Sequence, residues 1–232
     1  MKHTLHKETV ILFDLDGTLI DSTEAILQCF DDSFRHFGLP TPPKEEIKAL
    51  IGHPLDFMYA HLGIPEERVW DFVDVYKQHY RERSKPMTKF LPFAKEAIEE
   101  AASFARLGVV TTKTGLYSKI LLEHMGVMDF FEVLIGREDV IHPKPHPEPI
   151  YKALHRMGVD ASDDVWMIGD TCLDMVSAQD AGIRGIGVLS GYGEKAQLQR
   201  CSKFLQNDAL GAVKLIKTFK KKLKLSSNNL KL

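Results

Sequence analysis

Apolar residues along the chain follow two rhythms. Val10-Ile-Leu-Phe13 is a short β-rich apolar run closed by Asp14, and similar runs recur at Gly108–Thr111, Val133–Ile135, Val165–Ile168 and Gly185–Val188. An unbroken apolar run bounded by turn or acidic residues predicts a strand buried on both faces. Helical spacing of apolar positions fills most of the gaps: Phe93–Phe104, Ser118–Met125, Pro147–Met157 and Leu173–Ala181. Strands alternating with helices predict an α/β, Rossmann-like parallel sheet with helices on both faces.

The stretch from Asp21 to about Pro86 has only the helical rhythm. Asp21 with Glu24 suits a helix start, and Gly38 before Leu-Pro suits a stop. Further helical periods cover Glu45–Leu50, Leu55–Leu62 and Glu66–Arg81, separated by Gly52-His-Pro54 and Gly63-Ile-Pro65. A small all-helical domain over 21–87, inserted after the first strand of a discontinuous core of 1–20 and 88–232, accounts for this pattern.

Composition adds exclusions. With 232 residues, 44% hydrophobic and 27% charged, the chain is neither disordered nor collagenous and can bury its own core. Only about four consecutive apolar residues precede Asp14, too few for a secretory signal or a membrane span, so a soluble cytoplasmic protein is expected. Three cysteines, at 29, 172 and 201, without a CxxC pair, argue against a disulfide framework and for a reducing compartment. Cys172 is expected as a small buried packing residue.

The net charge of −2 hides an asymmetry. Seven lysines and no acid follow residue 213, so residues 1–213 carry 23 basic and 32 acidic side chains, a charge of −9. Val213, Ile216, Phe219 and Leu223 interleave with lysines as an amphipathic basic helix. Contact with nucleic acid or an anionic membrane is one reading of it. A docked terminal helix with a solvated lysine face is the preferred one.

Candidate chemistry gathers where strands end. Asp14 and Asp16 in DLDGTLIDS are two apart and point the same way from a strand end. The C-terminal edge of a parallel sheet is where such proteins bind ligands. Gly17 lets the backbone turn there and frees amides to face an anion. Asp170 and Asp174 in GDTCLD follow another strand and are one helical turn apart. Close carboxylates repel unless a cation intervenes, and an all-oxygen set suits Mg²⁺. Each string also reads as an ordinary turn or helix cap, but two acidic strand ends in one sheet weaken that reading. Thr111, in Thr111-Thr-Lys113, offers a hydroxyl at a strand end, and Lys144 sits in a loop stiffened by Pro143, Pro145 and Pro147. The same prolines forbid the helix on which His142 and His146 would pair as metal ligands.

DLDGTLIDS, VVTTK, KPHP and GDTCLD, in this order, resemble the four motifs of the haloacid dehalogenase superfamily. The long insert is similar to the helical cap of its first cap class, and GDTCLDMVSAQDAGI and GVLSGYG look most like the phosphoglycolate phosphatase branch. The resemblance implies a nucleophilic Asp14 that forms an aspartyl-phosphate and an acid/base Asp16. It implies Mg²⁺ on Asp14, the Asp16 carbonyl and Asp170, with Asp174 in support. Phosphoryl oxygens would be held by Thr111, Thr112, Lys144 and the backbone around Gly17 and Thr18. The cap loop with Gly52 and His53 would meet the leaving group.

Asp16 narrows the reaction, because dehalogenases and phosphonate-cleaving members of the superfamily lack an acid/base Asp at that position. The resemblance therefore implies hydrolysis of a small phosphorylated metabolite, phosphoglycolate first. An inorganic pyrophosphatase, a nucleotidase or a sugar phosphomutase on the same scaffold are the nearest alternatives. A phosphorylatable receiver module is the alternative of another class; it needs neither Asp16 nor a cap. Two departures touch substrate identity: Thr112 stands where that branch usually has Asn, and Pro92-Phe93 where it has Pro-Gly.

Overall fold

The computed structural model describes residues 9–162 and 164–229, with side chains as far as Lys221. The VILF run forms β1 (Val10–Phe13). It lies at the centre of a six-stranded parallel sheet with β4 (Arg106–Val110), β5 (Phe131–Ile135), β6 (Val165–Gly169), β7 (Arg184–Val188) and β8 (Leu205–Gln206). The order is β5-β4-β1-β6-β7-β8, with Phe13 in register with Val109 on one side and Ile168 on the other.

Strand alternation divides the core. Ile11, Phe13, Val109, Trp166 and Ile168 face one hydrophobic cluster, shared with α5 (Ala94–Ala102), α6 (Gly115–His124) and α10 (Ala209–Asn229). Val10, Leu12, Val110 and Met167 face the other, shared with α7 (Glu148–Met157) and α8 (Cys172–Asp180). Both faces are covered, so β1 is fully buried and has no polar position until Asp14.

Between β1 and α5 the chain makes a helical insertion: α1 (Thr23–His36), α2 (Lys44–Ala49), α3 (Leu55–His61) and α4 (Val69–Met87). It leaves through β2 (Ile20–Asp21) and returns through β3 (Lys89–Phe90), which pair antiparallel. An aromatic core of Phe30, Phe34, Tyr59 and Phe72 holds α1, α3 and α4 together. The expected helix ending at Arg81 instead runs on to Met87, through Pro86 near its end. The strands β2, β3 and β8 and the short helix α9 (Lys195–Cys201) also lie outside the expected elements. Two-residue strands carry no periodicity of their own and exist because of their partners.

The cysteine expectation is corrected. Cys172 and Cys201 form a disulfide across 29 residues, with Cα atoms 5.7 Å apart, and Cys172 is half-buried rather than packed away. The pairing depends on α9 folding back against the start of α8, which sequence spacing does not reveal. Cys29 is free and buried, and burial pushes its thiol up to about 12.

Helix α10 is seated on the core. Val213 and Ile216 are buried, Phe219 stacks on Trp166 at 5.5 Å, and Lys217 pairs with Glu100. Lys220 donates to Thr9 Oγ1 (2.8 Å) and to the Phe104 carbonyl (3.1 Å). Lys214 and Lys221 face outward. The expected positions Leu223, Lys222, Lys224 and Lys231 lie outside the described side chains. Among the described residues, no helix is long and apolar enough to cross a membrane.

Candidate active site

Three neighbouring strands deliver the candidate residues to one edge. Asp14 follows β1, Thr111 follows β4, and Asp170 follows β6, so the sheet order sets them side by side. Asp14, Thr111, Lys144, Asp170 and Asp174 are all buried. One oxygen each from Asp14, Asp170 and Asp174 lies within 4.8 Å of the others. The histidine pair of the proline loop is not part of any such group among the described residues; His146 Nδ1 accepts the Glu148 amide at 3.1 Å.

Lys144 reaches the cluster from its loop. Its ammonium lies 2.9 Å from Asp14 Oδ1 and 2.5 Å from Asp174 Oδ1, and donates to the Val110 carbonyl at 3.0 Å. Burial alone would lower this lysine, but the two carboxylates hold it above the ordinary lysine range. Asp14 is pushed up to about 6 by burial; Lys144 opposes the shift, while Asp174 and Asp16 add to it. Asp170 is raised well above the carboxylate range by burial, then by Asp14 and Asp174.

Asp174 and Asp170 differ in their partners. Thr171 caps α8, and Asp174 Oδ2 accepts both its amide (3.1 Å) and its hydroxyl (2.8 Å), so Asp174 closes a capping box. With Lys144 on the other oxygen, both carboxyl oxygens of Asp174 are engaged and the side chain is fixed. Asp170 accepts from Thr18 Oγ1 (3.1 Å) and the Tyr192 amide (2.8 Å), both neutral donors.

One lysine against three buried carboxylates is a deficit of positive charge. Asp14 Oδ1 also lacks a hydrogen bond of good geometry despite the nearby ammonium. An all-oxygen, electron-rich, partly unsatisfied group of this kind fits a hard divalent cation such as Mg²⁺.

Asp16 stands apart from this group. The Ser22 hydroxyl donates to its Oδ1, and Lys113 Nζ lies 3.0 Å from its Oδ2. Gly17, at φ +84°, turns the chain between Asp16 and Thr18, and a Cβ there would overlap Asp170 Oδ2. Gly191 is confined in the same way, and Ser190 Oγ donates to the Gly17 carbonyl at 3.0 Å. Loop 190–193 thus braces Asp170 from outside. GVLSGYG marked that loop in the sequence without revealing what it touches, and neither Lys113 nor Ser22 carried a signal of its own.

The insertion meets this edge. Gly52, at φ +110°, passes close to Thr171, and its carbonyl accepts from Thr112 Oγ1 at 2.7 Å. Thr112 therefore directs its hydroxyl hydrogen to the insertion. Thr111 Oγ1 accepts the Lys113 amide at 3.2 Å. His53 stacks on Phe57 at 4.3 Å, and partial burial together with His61 lowers its pKa. Arg137 of the core pairs with Asp56 at 3.4 Å, and Arg81 of the insertion donates to Tyr117 Oη at 2.9 Å. A cleft between the two layers begins at Asp16, Thr112 and Lys113 and runs toward His53 and Trp70.

Comparison with known proteins gives a consistent picture. Residues 11–188 match the family described as haloacid dehalogenase-like hydrolase. The chain is 34% identical over 198 residues to a probable phosphatase, IndB, of Dickeya dadantii, covering 82% of this chain and 85% of that protein. It is 32% identical to the pyrophosphatase PpaX of Bacillus velezensis, over 85% of this chain and 94% of that one. It is 30% identical to the phosphoglycolate phosphatase of Yersinia pseudotuberculosis, over 78% and 81%. A putative haloacid dehalogenase-like hydrolase from Bacteroides fragilis superimposes with a TM-score of 0.82 at 28% identity, over 88% of this chain and 99% of that one.

Proposed function

The chain belongs to the haloacid dehalogenase-like hydrolase family, and within it we propose a Mg²⁺-dependent phosphatase that hydrolyses a small phosphomonoester through an aspartyl-phosphate. The observation that carries this reading is the convergence of Asp14, Thr111 and Asp170, from three adjacent parallel strands, with Lys144 between Asp14 and Asp174. Phosphoryl transfer asks mainly for positioning and charge neutralisation, and this edge offers both.

In this mechanism a carboxylate oxygen of Asp14 attacks phosphorus while the alcohol departs and takes a proton from Asp16. Water then gives a proton back to Asp16 and attacks the acyl phosphate, releasing phosphate and restoring Asp14. Lys113 and Ser22 hold the Asp16 side chain in place through its two carboxyl oxygens. Lys144, Thr111 and the backbone around Gly17 and Thr18 hold the phosphoryl oxygens. Asp14, the Asp16 carbonyl and Asp170 would hold Mg²⁺, with Asp174 fixed in support by its capping box. That ion supplies, when bound, the positive charge that lets an anionic nucleophile approach an anionic ester.

Residues 21–87 act as the cap, with β2 and β3 as its two connections. Asp16 and the cap together favour a hydrolase over a receiver module. Phosphoglycolate and pyrophosphate, the substrates named for relatives, belong with other phosphomonoesters and anhydrides in a phosphate-release screen with Asp14→Asn as the blank. Mg²⁺-dependent release that vanishes in this variant supports the mechanism; release that survives in it overturns the mechanism.

A further inference from the structure

The walls of the cap–core cleft are chemically one-sided. Their apolar part is built from Ile26, Met58, Val73, Tyr76, Tyr80 and Tyr117, against a narrower polar part with His53, Thr112 and Thr114. Tyr76 and Tyr80 lie nearly parallel, 12° apart with centroids separated by 5.4 Å, and Tyr117 stands 5.9 Å from Tyr80. Packed on one another, the rings form a single aromatic wall, a lining that suits a planar apolar guest. The cations of the cleft are already committed: Lys113 to Asp16, Arg137 to Asp56, and Lys77 to the face of Trp70, which is 57% exposed at the rim. The cation that a short carboxylate such as that of glycolate would find near Asp16 is Lys113, already paired with Asp16.

One polar atom breaks the pattern. Tyr80 is 1% exposed, and its Oη has no hydrogen bond of good geometry, although Lys113 and Ser22 lie near it. A buried hydroxyl left so is costly unless something else satisfies it. Its ring carries the Lys113 ammonium at 4.5 Å, which sets this residue directly beside the Asp16 pair.

We propose that the alcohol part of the substrate is a planar, largely apolar body, held between the tyrosine rings and the Met58–Val73 wall, with one polar atom on Tyr80 Oη. This inference rests on the phosphatase reading and narrows its substrate class to phosphate esters of aryl-bearing alcohols, in preference to phosphoglycolate. Asp16 stands at the inner end of the cleft, so the bond to be broken faces the acid and the body of the alcohol fills the space beyond.

The test uses three esters whose leaving alcohols are all aliphatic: 2-phenylethyl phosphate, ethyl phosphate and phosphoglycolate. The full-length enzyme with Mg²⁺ is expected to turn over the phenylethyl ester with kcat/KM at least tenfold above both others, the gain lying in KM. In parallel, Asp14→Asn protein is titrated calorimetrically with 2-phenylethylphosphonate and ethylphosphonate, and at least tenfold tighter binding of the former is expected. Val73→Thr keeps the shape of the wall while adding a hydroxyl, and should reduce the phenylethyl preference at least threefold, with a native circular-dichroism spectrum reporting that the fold is intact. Equal or better turnover of phosphoglycolate, or equal binding of the two phosphonates, overturns the inference and leaves the phosphatase reading standing. Preferential phosphonate binding without release from any ester above the Asp14→Asn blank would keep the cleft assignment and overturn the phosphatase reading instead.

Discussion

Lys113 holds Asp16 from one side, its Nζ 3.0 Å from Oδ2, while resting 4.5 Å above the ring of Tyr80. Burial would lower this lysine, but Asp16 and Tyr80 hold it above the ordinary range, so it is a fixed cation beside the candidate acid/base. Replacing Lys113 by Met should lower kcat about tenfold to a hundredfold, below the full worth of general acid–base catalysis at about 10²–10⁴-fold. Lys113 acts through Asp16, so the double variant with Asp16→Asn should be no slower than Asp16→Asn alone. Additive losses would show that Lys113 has an independent role.

The crowding of Asp14, Asp170 and Asp174 has a measurable cost without metal. Asp170→Asn removes one of three buried carboxylates and keeps a group that can meet Thr18 and the Tyr192 amide. The metal-free variant should therefore melt no lower than the metal-free wild type while losing turnover. Wild type should gain about 2.7 kcal/mol at a hundredfold excess of Mg²⁺ over its Kd, and the variant almost none. Calorimetric melting in EDTA and in Mg²⁺ reads both effects, and an equal Mg²⁺ response in the two proteins would remove Asp170 from the metal site.

Phe93 is the one non-glycine residue with positive φ among the described residues, at 63°, and its side chain is 54% exposed. A left-handed non-glycine residue costs roughly 1–2 kcal/mol, part of which glycine returns as unfolded-state freedom. Phe93→Gly should stabilise the protein by about 0.5–1 kcal/mol. The corresponding rise in Tm is about 1–4 °C. A lower Tm would show that the phenyl ring contributes packing that its exposure conceals.

Asp139 gives a pH signature away from the site. Partial burial would raise its carboxyl, but the Gly136 amide (2.9 Å) and the Arg156 guanidinium (2.7 Å) hold it below the ordinary 3.8. The unfolded chain takes up this proton first, so the contribution is present above pH 3.8 and lost as pH falls through the folded-state value. With Arg156 partly exposed, solvent screening limits it to about 1 kcal/mol or less. Denaturant melts of wild type and Asp139→Asn should differ by that amount near neutrality and converge in acid; a constant difference would trace the effect to something other than charge.

The sheet and its strand-end acids were legible because each signal is local. An apolar run followed by DLDG or GDTCLD states both a buried strand and what stands at its end. Lys144 was legible through its prolines and its company. Lys113, Ser22 and the Ser190–Tyr192 loop were not, since their contacts with Asp16, Gly17 and Asp170 cross between 6 and 173 residues of sequence. The Cys172–Cys201 bond was hidden for the same reason: it depends on α9, a seven-residue helix with one buried side chain, Leu198.

The antiparallel pair of β2 and β3 makes both strands of chain entering and leaving residues 22–88 pass through a single point. A rigid rotation about that point would displace Ile20 and Phe90 least and the far helices most. The Thr112–Gly52, Arg137–Asp56 and Arg81–Tyr117 contacts cross the seam away from that point, beside the ring contact of Tyr80 with Tyr117. The insertion and the sheet share one buried apolar cluster, so parting them would cost apolar burial as well as these polar links.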